Sequence, residues 1–204
     1  MTKRRGQRFA FEVIEPRKRA LVVIDLMQNF IAGTPCAGSV VEPINRLATA
    51  LRTAGGTVAW VYSGPMSLEG ALVEALWGPD FFQKNVMETA DDSPHKELPD
   101  SLSPAADDIQ VQKRDYSAFF PGKCDLHGLL KERKIDTLFI AGVLTNICCE
   151  SSVRDAFSLG YKVIMVADAN AARTDEEHQS SLYNILRNFG DVRLSDELIS
   201  LLTP

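Results

Sequence analysis

Short apolar runs, each closed by a polar residue, recur along the chain with stretches of helical periodicity between them. The runs at residues 20–26, 57–62, 137–142 and 162–167 are apolar nearly throughout, the pattern of strands buried on both faces. Shorter runs at 109–113 and 191–194 complete a set of six. Residues 42–54 carry Ile44, Leu47 and Leu51 at helical spacing and stop at Gly55-Gly56. Residues 126–134, 146–159 and 175–189 read likewise, the last two closing at Gly160 and Gly190. Strand and helix in alternation predict an α/β fold: a three-layer α/β/α sandwich around a six-stranded, parallel, doubly wound sheet, with right-handed crossovers covering both faces.

The interval 63–108 breaks this rhythm. It is longer than a crossover needs and holds Trp77, Phe81, Phe82 and five prolines. Helices are predicted over 68–77 and 81–89, and the whole reads as an insertion or lid over a binding site. With 204 residues, 45% hydrophobic and 24% charged, the chain is expected to form one domain over 1–204, with 1–18 as a mobile N-terminal arm. Lys3-Arg4-Arg5 opens that arm, but Glu12 and Glu15 arrive before the apolar core of a signal peptide forms. No apolar run approaches the roughly 18 residues that span a bilayer.

A net charge of −5 argues against nucleic-acid and anionic-membrane partners and leaves a small molecule as the expected one. Four cysteines without a C-x-x-C spacing fit a reducing compartment, the cytoplasm, better than a disulfide framework or a zinc site.

In an open parallel sheet, ligands bind beyond the carboxyl ends of the strands, so the residues closing the runs are the first candidates for chemistry. Asp25 closes the first strand, Lys113 the third, and Cys148 follows the fourth where a helix opens. With these strands near the sheet centre, a carboxylate, an ammonium and a thiol meet in one pocket. The helix start and the ammonium are expected to stabilise a thiolate, while Asp25 takes the thiol proton and returns it to a leaving amine. Singly, each residue has a plainer reading: a strand-ending aspartate caps loops, and a lone cysteine packs as a small hydrophobe.

The segment Ala141-Gly142-Val143-Leu144-Thr145-Asn146-Ile147-Cys148 resembles the nucleophile loop of the isochorismatase-like cysteine hydrolases. Val22-Val23-Ile24-Asp25-Leu26 is similar to that family's first strand with its catalytic aspartate, and Lys113-Arg114-Asp115-Tyr116-Ser117-Ala118-Phe119-Phe120 to its lysine segment. Arg154-Asp155-Ala156, Gly160-Tyr161-Lys162-Val163 and Val166-Ala167-Asp168-Ala169 resemble its downstream signature, so the likeness runs over residues 19–195. The resemblance implies a Rossmann-like fold, catalysis by Asp25, Lys113 and Cys148 without a cofactor, and a homodimer or homotetramer. It also implies a cis peptide bond between Val143 and Leu144 and an oxyanion hole formed by the backbone N–H groups of Leu144 and Cys148.

Departures from the family pattern narrow the substrate. The family's nicotinamidases carry an Asp-x-His metal motif where this chain has Ser63-Gly64-Pro65-Met66, which argues against zinc and against nicotinamide. Members that hydrolyse a vinyl ether lack the cysteine. Asp25-Leu26-Met27-Gln28-Asn29-Phe30 is more similar to the carbamoylsarcosine-hydrolase branch, and Phe81-Phe82-Gln83-Lys84-Asn85 resembles part of the lid of ureidoacrylate hydrolases. The expected function is a cysteine-dependent amidohydrolase acting through an acyl-thioester on a small amide, carbamoyl or ureide compound. A vinyl-ether hydrolase of the isochorismatase type is the alternative among enzymes. Outside them stands a catalytically silent or redox-responsive interaction protein on the same fold.

Phe30, Tyr62, Trp77, Tyr116 and Phe119 are candidates for the pocket walls. Cys36 is near enough to Asp25 in sequence to reach the rim, Cys149 reads as packing, and Cys124 has no motif around it. His95 and His127 read as solvated or structural. His178 is the histidine placed for a Cys–His pair, a pairing disfavoured against the Asp25 and Lys113 set. Asp168 reads as a loop-ordering residue.

Overall fold

The computed structural model describes residues 6–12, 14–65, 70–90 and 97–202. Its strands are β1 (Arg19–Ile24), β2 (Thr57–Ser63), β3 (Ile109–Lys113), β4 (Thr137–Val143), β5 (Lys162–Ala171) and β6 (Asp191–Arg193). They form one parallel sheet in the order β3-β2-β1-β4-β5-β6. Every residue of β1 and of β4 is buried, because successive side chains feed two different cores. Leu21, Val23, Trp60, Phe139 and Ala141 face one core, and Ala20, Val22, Val61, Leu138 and Ile140 face the other. Each face therefore demands its own helix layer.

The helices are α1 (Gln28–Ala32), α2 (Val41–Thr53), α3 (Gly70–Trp77), α4 (Pro79–Thr89), α5 (Leu126–Glu132), α6 (Glu150–Ser158), α7 (Asp175–Asn188) and α8 (Ser195–Leu202). The first core is closed by α2 through Ile44, Leu47, Ala48 and Leu51, and by α8 through Leu198 and Leu202. Glu42 in the first turn of α2 and Arg52 in its last complement the helix dipole. The second core is closed by Leu126 and Leu130 of α5, Val153 and Ala156 of α6, and Leu182 and Ile185 of α7. A capping box opens α7: Glu177 N donates to Thr174 Oγ1 and Thr174 N to Glu177 Oε2, each at 3.1 Å.

Three features differ from the sequence expectation. The helix expected over 146–159 is two pieces, a π-turn at Thr145–Cys149 and then α6. The fifth strand continues past 167 to Ala171, because the β4–β5 register shifts between Ile140 and Gly142 and pairing then resumes. Asn170 Nδ2 donates to Ile140 O at 2.9 Å and to Val166 O at 2.6 Å, bridging the two strands at the shift. The arm expected to be mobile is held at Ala10 and Phe11, whose N–H groups donate to the Asp191 carboxylate, and at Arg8, which pairs with Glu197 at 2.9 Å. Lys3-Arg4-Arg5, Met66, the start of the helix expected at 68 and His95 lie outside the described residues.

The segment between β2 and β3 contains α3 and α4 and returns along α2. Gln28 N donates to Glu97 O at 3.2 Å, Asn45 Nδ2 to Ser101 O at 2.7 Å, and Leu102 enters the first core. Asp108 closes the return, accepting from Trp60 Nε1 at 2.8 Å and pairing with Arg52. Among the described residues no helix is long and apolar enough to cross a membrane.

One glycine governs the approach of β4 to β1. Gly142 has φ 121°, and a Cβ there would lie 2.0 Å from Ile24 O, next to Asp25. Gly142→Ala is expected to destabilise the fold by about 3 kcal/mol in urea denaturation. Gly128→Ala is the control, because its Cβ meets nothing within 4 Å; it should be neutral or stabilising by up to ~1 kcal/mol. Equal stability of the two variants would refute the close-approach reading.

Candidate active site

β1 and β4 are neighbours in the sheet although the strands that follow them run outward in opposite directions, so a crevice opens at their carboxyl ends. Asp25 leaves β1 at φ 55°, in the left-handed region, with its N–H donating to Val61 O at 3.0 Å. Lys113 ends β3, two strands away, and its backbone carbonyl accepts from Gly64 N at 2.8 Å. Its side chain reaches back toward β1. Nζ forms an ion pair with Asp25 Oδ2 at 2.8 Å and donates to Asp115 O at 3.0 Å and to Cys148 Sγ at 3.5 Å. Asp25 is 0% exposed, Lys113 1% and Cys148 9%.

Cys148 is delivered by the turn that follows β4. The Val143–Leu144 peptide bond is cis. Leu144 O then accepts from both Ile147 N at 3.1 Å and Cys149 N at 3.2 Å, which winds Thr145–Cys149 into the π-turn. Ser152 Oγ donates to Cys148 O at 2.7 Å and accepts from Ala118 N at 3.0 Å, so the thiol-bearing turn and the loop after Lys113 are tied together.

Burial pushes the Cys148 thiol up to about 12; the Lys113 ammonium opposes the rise and the Asp25 carboxylate adds to it. This corrects the expectation of a stabilised thiolate. Desolvation outweighs the ammonium, and Cys148 sits inside a π-turn rather than at a free α-helix start, both of which favour the neutral thiol. Burial also lifts Asp25 above the ordinary carboxylate value, against the pull of Lys113. For Lys113 burial disfavours the charge, but Asp25 and then Cys148 outweigh it and raise its pKa.

A cavity of about 70 Å³ opens onto Cys148 and Lys113, walled by Phe30, Trp77, Tyr116, Leu144 and Ile147, with Ser63, Asp115 and Arg173 as its other polar residues. Three of the five aromatic candidates, Phe30, Trp77 and Tyr116, thus meet at the site. Tyr62 and Phe119 do not. On β2 it is Ser63 that faces the cavity, so Tyr62 points to the other side, packs on the first core and bonds Gln110 at 3.2 Å. Phe119 is buried in the second core against Tyr161, ring centroids 5.7 Å apart.

Cys36 is exposed on a second cavity of about 590 Å³, which shares Arg173 with the first. Cys149 is fully buried, and Cys124 is partly buried in the second core. His127 Nδ1 lies 3.0 Å from Tyr161 Oη, and His178 bonds Thr145, not Cys148. Asp168 accepts from Ser195 N at 2.8 Å and Ser195 Oγ at 2.6 Å, fixing the start of α8. Arg173 was not anticipated from the sequence. It follows β5, is exposed, and forms no ion pair among the described residues.

The family model described as Isochorismatase domain matches residues 19–197. The chain belongs to the isochorismatase family. Ureidoacrylate amidohydrolase RutB of Pseudomonas savastanoi pv. phaseolicola is 32% identical over an alignment covering 94% of this chain and 86% of that protein. A cysteine hydrolase from Pseudomonas syringae pv. phaseolicola superposes with a TM-score of 0.86 at 28% identity, covering 97% of this chain and 98% of the other. N-carbamoylsarcosine amidase from Thermoplasma acidophilum superposes with a TM-score of 0.72 at 29% identity, over 88% and 97% of the two chains. The isochorismatase-family assignment makes the chain a hydrolase with amidohydrolase relatives, and places its parallel sheet with helices on both sides among known examples of that fold.

Proposed function

We propose that this chain is a cysteine-dependent amidohydrolase cleaving the C–N bond of a small amide, carbamoyl or ureide compound. The observation that carries the reading is Lys113 Nζ standing 2.8 Å from Asp25 and 3.5 Å from Cys148, with the thiol opening onto a walled cavity. Relatives named for ureidoacrylate and N-carbamoylsarcosine support the same bond class.

Asp25 takes the thiol proton as sulfur attacks the carbonyl carbon. The charge moves from the carboxylate through sulfur to the carbonyl oxygen while the ammonium stays in place, so the step relocates a charge without adding one. The backbone N–H groups of Leu144 and Cys148 receive the oxyanion. Collapse breaks the C–N bond, and protonated Asp25 gives its proton to the departing nitrogen. Water then attacks the thioester, Asp25 accepts the water proton, and breaking the C–S bond returns the thiol with that proton. Arg173 on the cavity wall supplies a cation for an acidic group on the substrate.

The test is ammonia release from small amides, carbamoyl compounds and ureides, each offered with and without a carboxylate, by wild type and Cys148→Ala. Release by wild type alone, fastest for an acid-bearing compound, is the expected result. Release that survives Cys148→Ala would overturn the thioester route, and cleavage of a vinyl ether in its place would move the chain to the other branch of the family.

A further inference from the structure

The mechanism leaves unused a histidine bonded to the very turn that presents the thiol. Thr145 opens the π-turn Thr145–Cys149 and is fully buried. Its hydroxyl lies 2.9 Å from His178 Nδ1, and its carbonyl accepts from Ser181 Oγ at 3.2 Å. His178 and Ser181 stand three residues apart on α7, so they present one helix face to the turn. The capping box on Thr174 and Glu177 fixes the end of α7 from which His178 projects.

We propose that His178 is a positioning residue: through Thr145 it holds the turn that carries Cys148 in register with Lys113 and Asp25. Four tethers then fix the short segment: the paired N–H donors to Leu144 O at its start, Ser152 on Cys148 O at its end, Ser181 on the Thr145 carbonyl, and His178 on the Thr145 side chain. The last is the only one of these four that joins two side chains.

The direction of the bond follows from the groups present. Burial lowers the pKa of His178, with Asp175 opposing, and so favours the neutral imidazole. With its proton on Nε2, Nδ1 accepts the hydrogen of the buried Thr145 hydroxyl. Removing the imidazole leaves that hydroxyl unpaired at the root of the turn, and the turn relaxes to satisfy it. A displacement of about 1 Å at a reacting group is enough to slow a positioned reaction by up to ~100-fold.

This inference rests on Cys148 being the nucleophile, not on the substrate being an amide. The experiment therefore reads Cys148 directly: its alkylation rate by iodoacetamide, followed by mass spectrometry of the Cys148 peptide, with thermal unfolding as the check on folding. His178→Ala and Thr145→Val are each expected to slow alkylation by about tenfold, and the double variant by no more than either alone. His178→Asn, whose amide oxygen takes the place of Nδ1, is expected to stay within about threefold of wild type. Unchanged alkylation in folded His178→Ala, additive losses in the double variant, or an equal loss in His178→Asn would each overturn the positioning role. Should His178→Ala fail to fold, Thr145→Val and His178→Asn carry the same comparison. Wild-type Cys148 that resists alkylation altogether would remove the nucleophile reading and this inference with it.

Discussion

Asparagine in place of Asp25 is expected to lower turnover by about 10⁴-fold, with the protein still folded but less stable because the buried Lys113 ammonium loses its counter-charge. The size follows from the resting protonation state. Burial holds the Cys148 thiol up at about 12, so at neutral pH the sulfur is not a nucleophile until a neighbour takes its proton. Asp25 is the carboxylate within the buried set, and it is also the donor needed by the leaving nitrogen. Asparagine keeps the shape and a hydrogen-bond acceptor for Lys113 but can neither take nor return a proton.

The same reasoning fixes the pH profile of the wild type. The base is the ionised form, and burial raises Asp25 above the ordinary carboxylate value. Activity is therefore present above that raised value and lost as pH falls through it, so the acid limb of kcat/KM should sit above the ~3.9 of a free aspartate. No alkaline activation near the ~8.5 of a free thiol is expected. A rate that climbs through that range, or an Asp25→Asn variant within tenfold of wild type, would mean that a thiolate forms without this carboxylate.

Much of this site was legible in the chain because the residues that close apolar runs fall at ligand-facing strand ends. Asp25 and Lys113 were found by that rule: β3 ends at Lys113 as expected, and β1 ends at Ile24, immediately before Asp25 and two residues short of the expected run to 26. The same rule fell short where a strand end was misplaced. Asp168 does order a loop, as expected, by accepting from Ser195, but the fifth strand was expected to stop at 167, whereas it runs to Ala171 and brings Arg173, which was overlooked, to the cavity. The shift falls where β5 turns polar, at Asp168 and Asn170, so the apolar run ends before the strand does. Tyr62 and Phe119 were misassigned for a related reason. Nearness to a strand end does not say which face a side chain takes, and one residue's difference in phase sends Ser63 to the cavity and Tyr62 away from it.

The sign of the thiol shift was out of reach of the sequence as well. It depends on burial weighed against an ammonium at 3.5 Å, quantities that composition and spacing do not carry.

Lys113→Met is expected to damage the fold as well as the reaction. Met is close to Lys in length and packs in apolar surroundings, so the loss isolates the charge. With the ammonium gone, Asp25 is a carboxylate at 0% exposure with no backbone N–H to accept from among the described residues. Breaking a buried pair from one side destabilises by about 3–5 kcal/mol, far more than the pair itself contributes over an apolar replacement. In the variant the Asp25 pKa rises further, because the cation that opposed burial is absent. The folded state then holds its proton at a pH where the unfolded chain has released it, so stability falls as pH rises through the unfolded value and is restored below it. Urea midpoints measured at about pH 5 and about pH 8 should show the deficit growing toward the higher pH, while wild type changes less. Adding Asp25→Asn to Lys113→Met removes the stranded charge and should recover most of the stability without any turnover. A Lys113→Met protein as stable as wild type at the higher pH would show that Asp25 does not carry its charge when alone, and the resting ion pair assigned here to the site would have to be replaced by a neutral one.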